Sequence, residues 1–286
     1  MKMKGVILAA GEGSRIKDVT YGAVPKELLP ISNVPTIRFP IESLKLAGVK
    51  DILIVVSPNG KYTLLQGLKN GRQFGVNLSY VVQETGKKEE RGIGKAILSI
   101  ENWINNEDIL VACGDTILSN FSSKNPFNCL KPLCKIHTSN NPLATILLYP
   151  TNLDPTRFGV AKFKKLKNDA DIYYSELERL TEKPSLVVSK SYKSNGFYYI
   201  VAGYYLFKPR IFHYIKRTKP GVKNEVQITD SLALAMENGE KVFGVIHGAI
   251  RDNQVFPYEY WDVGIPEIYK EANRRLIGVS IKDLLS

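Results

Sequence analysis

Short apolar runs recur along the chain. Gly5–Ala10, Asp51–Val56, Leu78–Val82, Asp108–Cys113 and Leu143–Tyr149 each predict a strand buried on both faces, because polar residues do not alternate regularly with the apolar ones. Between these runs the apolar positions fall at helical spacing. Ile37, Ile41, Leu44 and Leu46 lead to an Ala47-Gly48 stop, Leu64, Leu65 and Leu68 lead to Gly71, and Ile93, Ile97, Ile100 and Ile104 share one face. The order β-α-β-α-β-α-β predicts a mainly parallel sheet with helices on both faces, joined by right-handed crossovers. Ligands of such sheets sit beyond the carboxyl ends of the strands, so the loops 11–30, 83–92 and 114–120 are expected along one rim.

After residue 150 the pattern changes. Phe158–Phe163, Tyr173–Leu180 and Tyr198–Phe207 read as strands, with turn signals at Asn168-Asp169 and Ser194-Asn195-Gly196. Thr229–Met236 and Pro266–Leu276 read as helices. With no repeat, low-complexity tract or clear linker, one domain with an α/β first half and a mixed second half is expected.

Composition narrows the class. The chain has 286 residues, 44% hydrophobic and 23% charged, which is ordinary for a globular protein. No apolar run approaches the roughly 18 residues a membrane helix needs. The apolar run at the start is too short for a secretory leader. Three cysteines without a CxxC pair and three histidines make a structural zinc site and an oxidising compartment poor expectations, so a cytoplasmic protein is expected. The net charge of +11 raises a nucleic-acid reading. Yet the cationic groups Lys162–Lys167 and Lys87–Arg91 have acids within or close beyond them and, with Phe163 alone among them, are not interleaved with aromatics as a stacking platform would be. Solvated surface with some attraction for anionic small molecules is the reading, with no nucleic-acid and no membrane partner.

The loop after the first strand carries the most chemistry. Gly11-Glu12-Gly13-Ser14-Arg15 has Ile16 where a dinucleotide fingerprint has its third glycine, and the second strand ends Val55-Val56-Ser57-Pro58 without a ribose-binding acid. The Gly-x-x-x-x-Gly-Lys-Ser/Thr spacing of a P-loop is also missing. What remains is a turn whose backbone N–H groups can approach an anion, followed by the fork of Arg15 and by Lys26 between two prolines. Two cations with little covalent machinery suit phosphoryl or nucleotidyl transfer, where positioning and charge neutralisation dominate. A solvated loop with turn glycines is the alternative.

Gly-x-Gly-Ser-Arg followed by Pro25-Lys26-Glu27-Leu28-Leu29-Pro30-Ile31 resembles the sugar-1-phosphate nucleotidyltransferase family. The resemblance runs in order from Gly5 to about Ile268. It takes in Gly92-Ile93-Gly94-Lys95-Ala96, Cys113-Gly114-Asp115, Phe158-Gly159-Val160, Glu182-Lys183-Pro184, Ala202-Gly203, Asn224-Glu225-Val226-Gln227-Ile228-Thr229-Asp230 and Trp261-Asp262-Val263-Gly264. It implies a Rossmann-like, GT-A-like α/β fold with a smaller β-rich sugar-binding portion. Residues 1–120 would form a nucleotide-binding half, and residues 121–286 a sugar-phosphate-binding half with the C-terminal helix. A nucleoside triphosphate and a sugar 1-phosphate would be joined with release of pyrophosphate, and a homo-oligomer, dimer or tetramer, is expected. An appended acyltransferase domain is not.

The resemblance also implies roles. Arg15, Lys26 and Lys183 would be catalytic, steadying the phosphoryl groups, and Asp115 with Asp262 would hold Mg²⁺. Ala10, Gly11, Gly13, Ser14, Arg15, Gln83 and Gly92 would bind the nucleotide, with the Gln83 amide suited to the imide edge of uracil or thymine. Gly159, Glu182, Lys183, Gly203 and Glu225 would bind the sugar phosphate. Bland readings stand beside these: Asp115 as a helix N-cap, Lys183 as a surface residue, Asp262 in a structural corner and Glu225 as a cap or flank of the Thr229 helix. The charged loop 84–91 is longer than the family leads one to expect. The motifs 25–30 and 224–230 look closer to UTP–glucose-1-phosphate uridylyltransferases, and Cys113-Gly114-Asp115 closer to the thymidylyl branch. UTP and glucose 1-phosphate are the expected pair, and a nucleotide-sensing relative without activity is the rival from another class.

Overall fold

The computed structural model describes residues 2–57, 62–83, 91–221, 224–252 and 254–277. The expected loop from Glu84 therefore lies outside the described residues as far as residue 90. The chain forms two compact units, one from Lys4–Glu84, Val111–Lys131 and Glu259–Ser286, the other from Met1–Met3, Thr85–Leu110 and Pro132–Tyr258. The backbone passes between them within the strand Asp108–Cys113.

In the first unit the strand Met3–Ala9 pairs in parallel with Asp51–Val56, which pairs in parallel with Asn77–Val82. Five of the six residues in Asp51–Val56 are buried, as its unbroken apolar run requires. The helix Arg38–Leu46 buries Phe39, Ile41 and Leu44. It stops where expected, because Gly48 takes φ +88 and its N–H bonds the Lys45 carbonyl. A core of Ile16, Leu29, Ile31, Phe39, Ile117, Phe127, Trp261 and Val263 gathers residues far apart in sequence. Each such side chain contributes about 1.5–3 kcal/mol on burial.

The second unit is built on antiparallel pairing. Tyr198–Phe207 pairs with Ala144–Thr151 and with Gly159–Phe163, and Ile172–Glu182 pairs with Gly159–Phe163 and Val242–Ile246. One parallel pair, Val242–Ile246 with Ala144–Thr151, completes this mixed sheet. The helix Ile228–Glu237 matches expectation to within a residue at each end. The helix at Ile93 is shorter than its apolar spacing predicts: it ends at Leu98 and continues as a 3-10 turn over Glu101–Trp103. The cationic run 162–167 spans the end of the strand Gly159–Phe163 and the turn into the strand Lys167–Asp169, and there Lys162 pairs with Glu178 at 2.8 Å and Lys164 with Glu176 at 2.6 Å. Among the described residues no helix is long and apolar enough to cross a membrane.

Candidate active site

In the first unit, two backbone devices gather four charges. The first is the glycine loop. Gly13 takes φ +65, which a side chain disfavours, and a methyl on Gly11 would lie 3.2 Å from Lys26 Nζ. The lysine ammonium thus lies close over the loop backbone. The 3-10 turn Ser14–Ile16 buries Ile16 in the core and leaves Ser14 and Arg15 outward. A second 3-10 turn, Lys26–Leu28, follows Pro25 and buries Glu27 completely beside Lys26.

The second device is a two-stranded ladder. Asp108–Cys113 ends in a turn at Gly114, and the chain reverses into the strand Thr116–Ser119. This strand pairs antiparallel with Glu259–Asp262, so that Asp262 lies opposite Thr116, and Val263 N donates to the Asp115 carbonyl at 2.9 Å. Two aspartates distant in sequence become neighbours. A methyl on Gly264 would lie 3.0 Å from Asp262 Oδ1 and 3.1 Å from Asp115 Oδ2. The N-cap reading of Asp115 fails, because a strand and not a helix follows it. Asp262 does stand at a corner, with Gly264 N donating to its Oδ1 at 3.1 Å, but its other oxygen faces Arg15.

The charges are paired. Lys26 Nζ donates to Asp115 Oδ2, with both side chains nearly buried. Arg15 Nη2 lies 3.6 Å from Asp262 Oδ2, and the Arg15 side chain is 55% exposed. Burial works against a charged ammonium, but Asp115, Glu27 and Asp262 together make Lys26 hold its proton more tightly than usual. Burial also works against the Asp115 carboxylate; Lys26, through its charge and hydrogen bond, holds it below the ordinary range. Asp262 is pushed up to about 6, by burial first and then by the Asp115 carboxylate. Cys113, next to Gly114, is driven up mainly by burial.

Among the described residues no group of three or more metal-ligating side chains forms. The crowded pair Asp115 and Asp262 does suit a cation such as Mg²⁺, which takes one or two carboxylates and completes its shell with phosphate oxygens and water. The carboxylate crowding that raises Asp262 is what a divalent cation would relieve. On the same unit Gln83 follows the strand Asn77–Val82, buried, with its N–H on the Val56 carbonyl at 2.8 Å. Val56 pairs with Ala9, so Gln83 and Ala10 both stand at the carboxyl ends of neighbouring strands.

The second unit holds a different cluster. Lys183, half-exposed, takes φ +44 directly after the strand Ile172–Glu182. Its ammonium lies 3.4 Å from Glu182 Oε1 and 3.7 Å from Glu225 Oε2. Its N–H bonds the Phe158 carbonyl at 3.0 Å, and Gly159 pairs with Glu182 across the ladder. A methyl on Gly159 would come within 2.9 Å of Thr229 Oγ1. Glu182 is raised by burial, against its bond to Thr229 and the charge of Lys183; Asp230 is also raised by burial, against Lys183. Glu225 does not cap the following helix: Gln227 is the cap residue, with no side-chain cap bond, and its Nε2 donates to Glu225 Oε2 at 2.6 Å. Gly92 belongs to this unit, with φ +103 at the start of the helix Ile93–Leu98. Gly203 sits at a bulge in Tyr198–Phe207 with φ +77.

Four further residues belong to these clusters without having been assigned roles from the sequence: Glu27 beside Lys26, and Gln227, Thr229 and Asp230 around Glu225 and Lys183. All four stand inside motifs already singled out. An acid between Lys26 and two leucines is the signal that would have found Glu27.

Comparison with known proteins agrees with this arrangement. The profile of the Nucleotidyl transferase family matches residues 4–277. A Methanocaldococcus jannaschii protein, provisionally assigned as a UTP–glucose-1-phosphate uridylyltransferase, is 32% identical over 266 residues, 86% of each chain. The glucose-1-phosphate thymidylyltransferase of Neisseria meningitidis is 30% identical over 237 residues, 83% of this chain and 72% of its own. A UDP-glucose pyrophosphorylase solved with UDP-glucose superposes with a TM-score of 0.75 at 27% identity, covering 96% of this chain and 98% of that one. The α/β fold with its mixed sheet is the fold of these enzymes, and the chain belongs to the nucleotidyl transferase family.

Proposed function

We propose that the protein transfers a uridylyl group from UTP to glucose 1-phosphate, giving UDP-glucose and pyrophosphate. The observation that carries this reading is the buried pairing of Lys26 with Asp115 beside Asp262 and Arg15. A phosphate oxygen of the sugar 1-phosphate attacks the α-phosphorus in line, and the bond to the oxygen bridging the α- and β-phosphates breaks. The nucleophile is already an anion, so no general base is required. The difficulty is bringing two polyanions together, and fixed cations address it. Arg15 would neutralise charge on the transferring phosphoryl group and the departing pyrophosphate. Lys26, held protonated by its acidic neighbours, would serve the α-phosphate, and Lys183 would hold the sugar phosphate. Asp115 and Asp262 would hold Mg²⁺, which when bound supplies further charge neutralisation on the phosphates.

Gln83 would meet the imide edge of the base, and Glu182 with Glu225 would accept from sugar hydroxyls. Relatives named for uridylyl and for thymidylyl transfer both match this chain at 30% identity or more, so dTTP is the alternative nucleotide. One thymine methyl is worth only about 1–3 kcal/mol in a pocket, so some reaction with both is expected. Pyrophosphate release from a panel of nucleoside triphosphates and sugar 1-phosphates with Mg²⁺ tests the reading. UTP with glucose 1-phosphate should give the highest kcat/KM. A higher value for dTTP would reassign the nucleotide, and no release from any pair would sink the function.

A further inference from the structure

Two segments that the proposed function assigns to different substrates are joined in the second unit. Arg91 bridges Glu225 in a short parallel pairing. Arg91 N donates to the Asn224 carbonyl at 3.1 Å, Val226 N to the Arg91 carbonyl at 2.7 Å, and Gly94 N to the Val226 carbonyl at 2.9 Å. The approach is so close that only glycine fits. A methyl on Gly92 would lie 2.6 Å from the Val226 carbonyl oxygen, and one on Gly94 would lie 2.8 Å from that oxygen and 3.0 Å from Val226 Cγ1. Val226 is buried, and so cannot step aside into solvent. On either side of it stand Glu225 and Gln227, whose side chains are joined at 2.6 Å, and the same Glu225 oxygen lies 3.7 Å from Lys183 Nζ.

We infer that Gly94 and Gln227 are positioning residues which tie the glycine turn at Gly92 to the sugar-facing carboxylate of Glu225, so that nucleotide occupancy tightens sugar-phosphate binding. This rests on the proposed roles of Gly92 and Glu225. Close packing passes displacement on: a turn moved by a few tenths of an ångström carries Val226 with it, and Glu225 moves too. Gln227 then keeps the carboxylate from turning away. Neither residue touches substrate in this account.

The test is calorimetric binding of glucose 1-phosphate to the full chain with Mg²⁺, with and without a non-hydrolysable UTP analogue, alongside steady-state kinetics. In the wild type the analogue should tighten sugar-phosphate binding at least about fivefold, the lower end of ordinary site-to-site coupling. Gly94→Ala should abolish that tightening and raise the KM for glucose 1-phosphate about tenfold, the scale of a small misplacement. Gln227→Leu leaves the backbone pairing intact. It should raise the same KM about tenfold while the KM for UTP stays within twofold. This second variant decides the matter if Gly94→Ala does not fold. Tightening that survives in a folded Gly94→Ala, or a Gln227→Leu enzyme with an unchanged KM for glucose 1-phosphate, overturns the inference. A wild type that binds both ligands cooperatively yet releases no pyrophosphate would defeat the proposed reaction and leave the link standing. A wild type that binds neither would defeat both.

Discussion

The two charged clusters solve different problems. In the first unit, Lys26 and Asp115 form a nearly buried contact pair, with Asp262 and Arg15 beside them, all fixed by a strand ladder and tight turns. In the second, one half-exposed lysine lies among Glu182, Glu225 and Asp230, at 3.4 and 3.7 Å from the first two. A nearly buried pair such as Lys26 and Asp115 is suited to stabilising charge that moves during the reaction. A half-exposed lysine among several carboxylates that can accept hydrogen bonds is suited to recognising hydroxyls and a phosphate. Substitutions in the first cluster should therefore act mainly on kcat, and in the second on KM for the sugar phosphate.

The largest effect is expected from Lys26→Ala. Turnover should fall by at least about 100-fold. Removing one partner of a buried pair also leaves carboxylates uncompensated, so stability without metal should drop by about 3–5 kcal/mol in urea titrations. Mg²⁺ should restore part of that loss, and a variant as stable as the parent would show that the pair is not buried as described. Arg15→Ala and Asp115→Asn should also lower turnover about 100-fold or more in pyrophosphate-release assays. Arg15→Ala should do so with little loss of stability, since its exposed contact with Asp262 is worth at most about 1 kcal/mol. Near-normal turnover in either variant removes that residue from the mechanism.

Smaller, and of the other kind, are the effects expected in the second unit. Lys183→Ala and Glu225→Gln should each raise the KM for glucose 1-phosphate about 10- to 100-fold, the scale of a charge-assisted hydrogen bond. The KM for UTP should move less than threefold. If initial-rate measurements show kcat falling as far as in Arg15→Ala, the division between the two clusters breaks down.

The strands and helices that lead up to the first cluster were legible because each announces itself in a local pattern: a doubly buried run, a glycine stop, or a loop too short of glycines for a dinucleotide site. The family motifs then led to Arg15, Lys26, Asp115 and Asp262. What could not be read was the device that brings Asp115 to Asp262. The ladder Thr116–Ser119 with Glu259–Asp262 joins segments remote in sequence, and each is only four residues long. Periodicity has too few positions to speak in so short a strand. For the same reason the bridge between Arg91 and Glu225 is invisible: its evidence is a carbonyl approaching a glycine, which leaves no hydrophobic pattern at all.

Acid sharpens the comparison last, provided that stability is separated from binding. Glu182 and Asp230 both take up protons more readily than ordinary carboxyls, so the KM for glucose 1-phosphate should rise as pH falls toward 5. The second unit also carries His137, fully buried, with Nδ1 2.9 Å from Thr145 Oγ1 and Nε2 3.7 Å from Asp108. Burial, helped by the charge of Lys208, lowers it from 6.5 to about 4. The unfolded chain therefore binds this proton at a higher pH than the folded one. The stability due to neutral His137 is fully present above pH 7, and is lost progressively from about pH 6.5 down to about 4. At pH 5 the loss is about 2 kcal/mol. Urea midpoints at pH 7.5 and 5 should fall less in His137→Leu than in the parent. Equal falls would mean that folding does not lower the His137 pKa; the raised carboxyls Glu182 and Asp230 cannot account for acid weakening of the fold, because they bind protons more readily folded than unfolded.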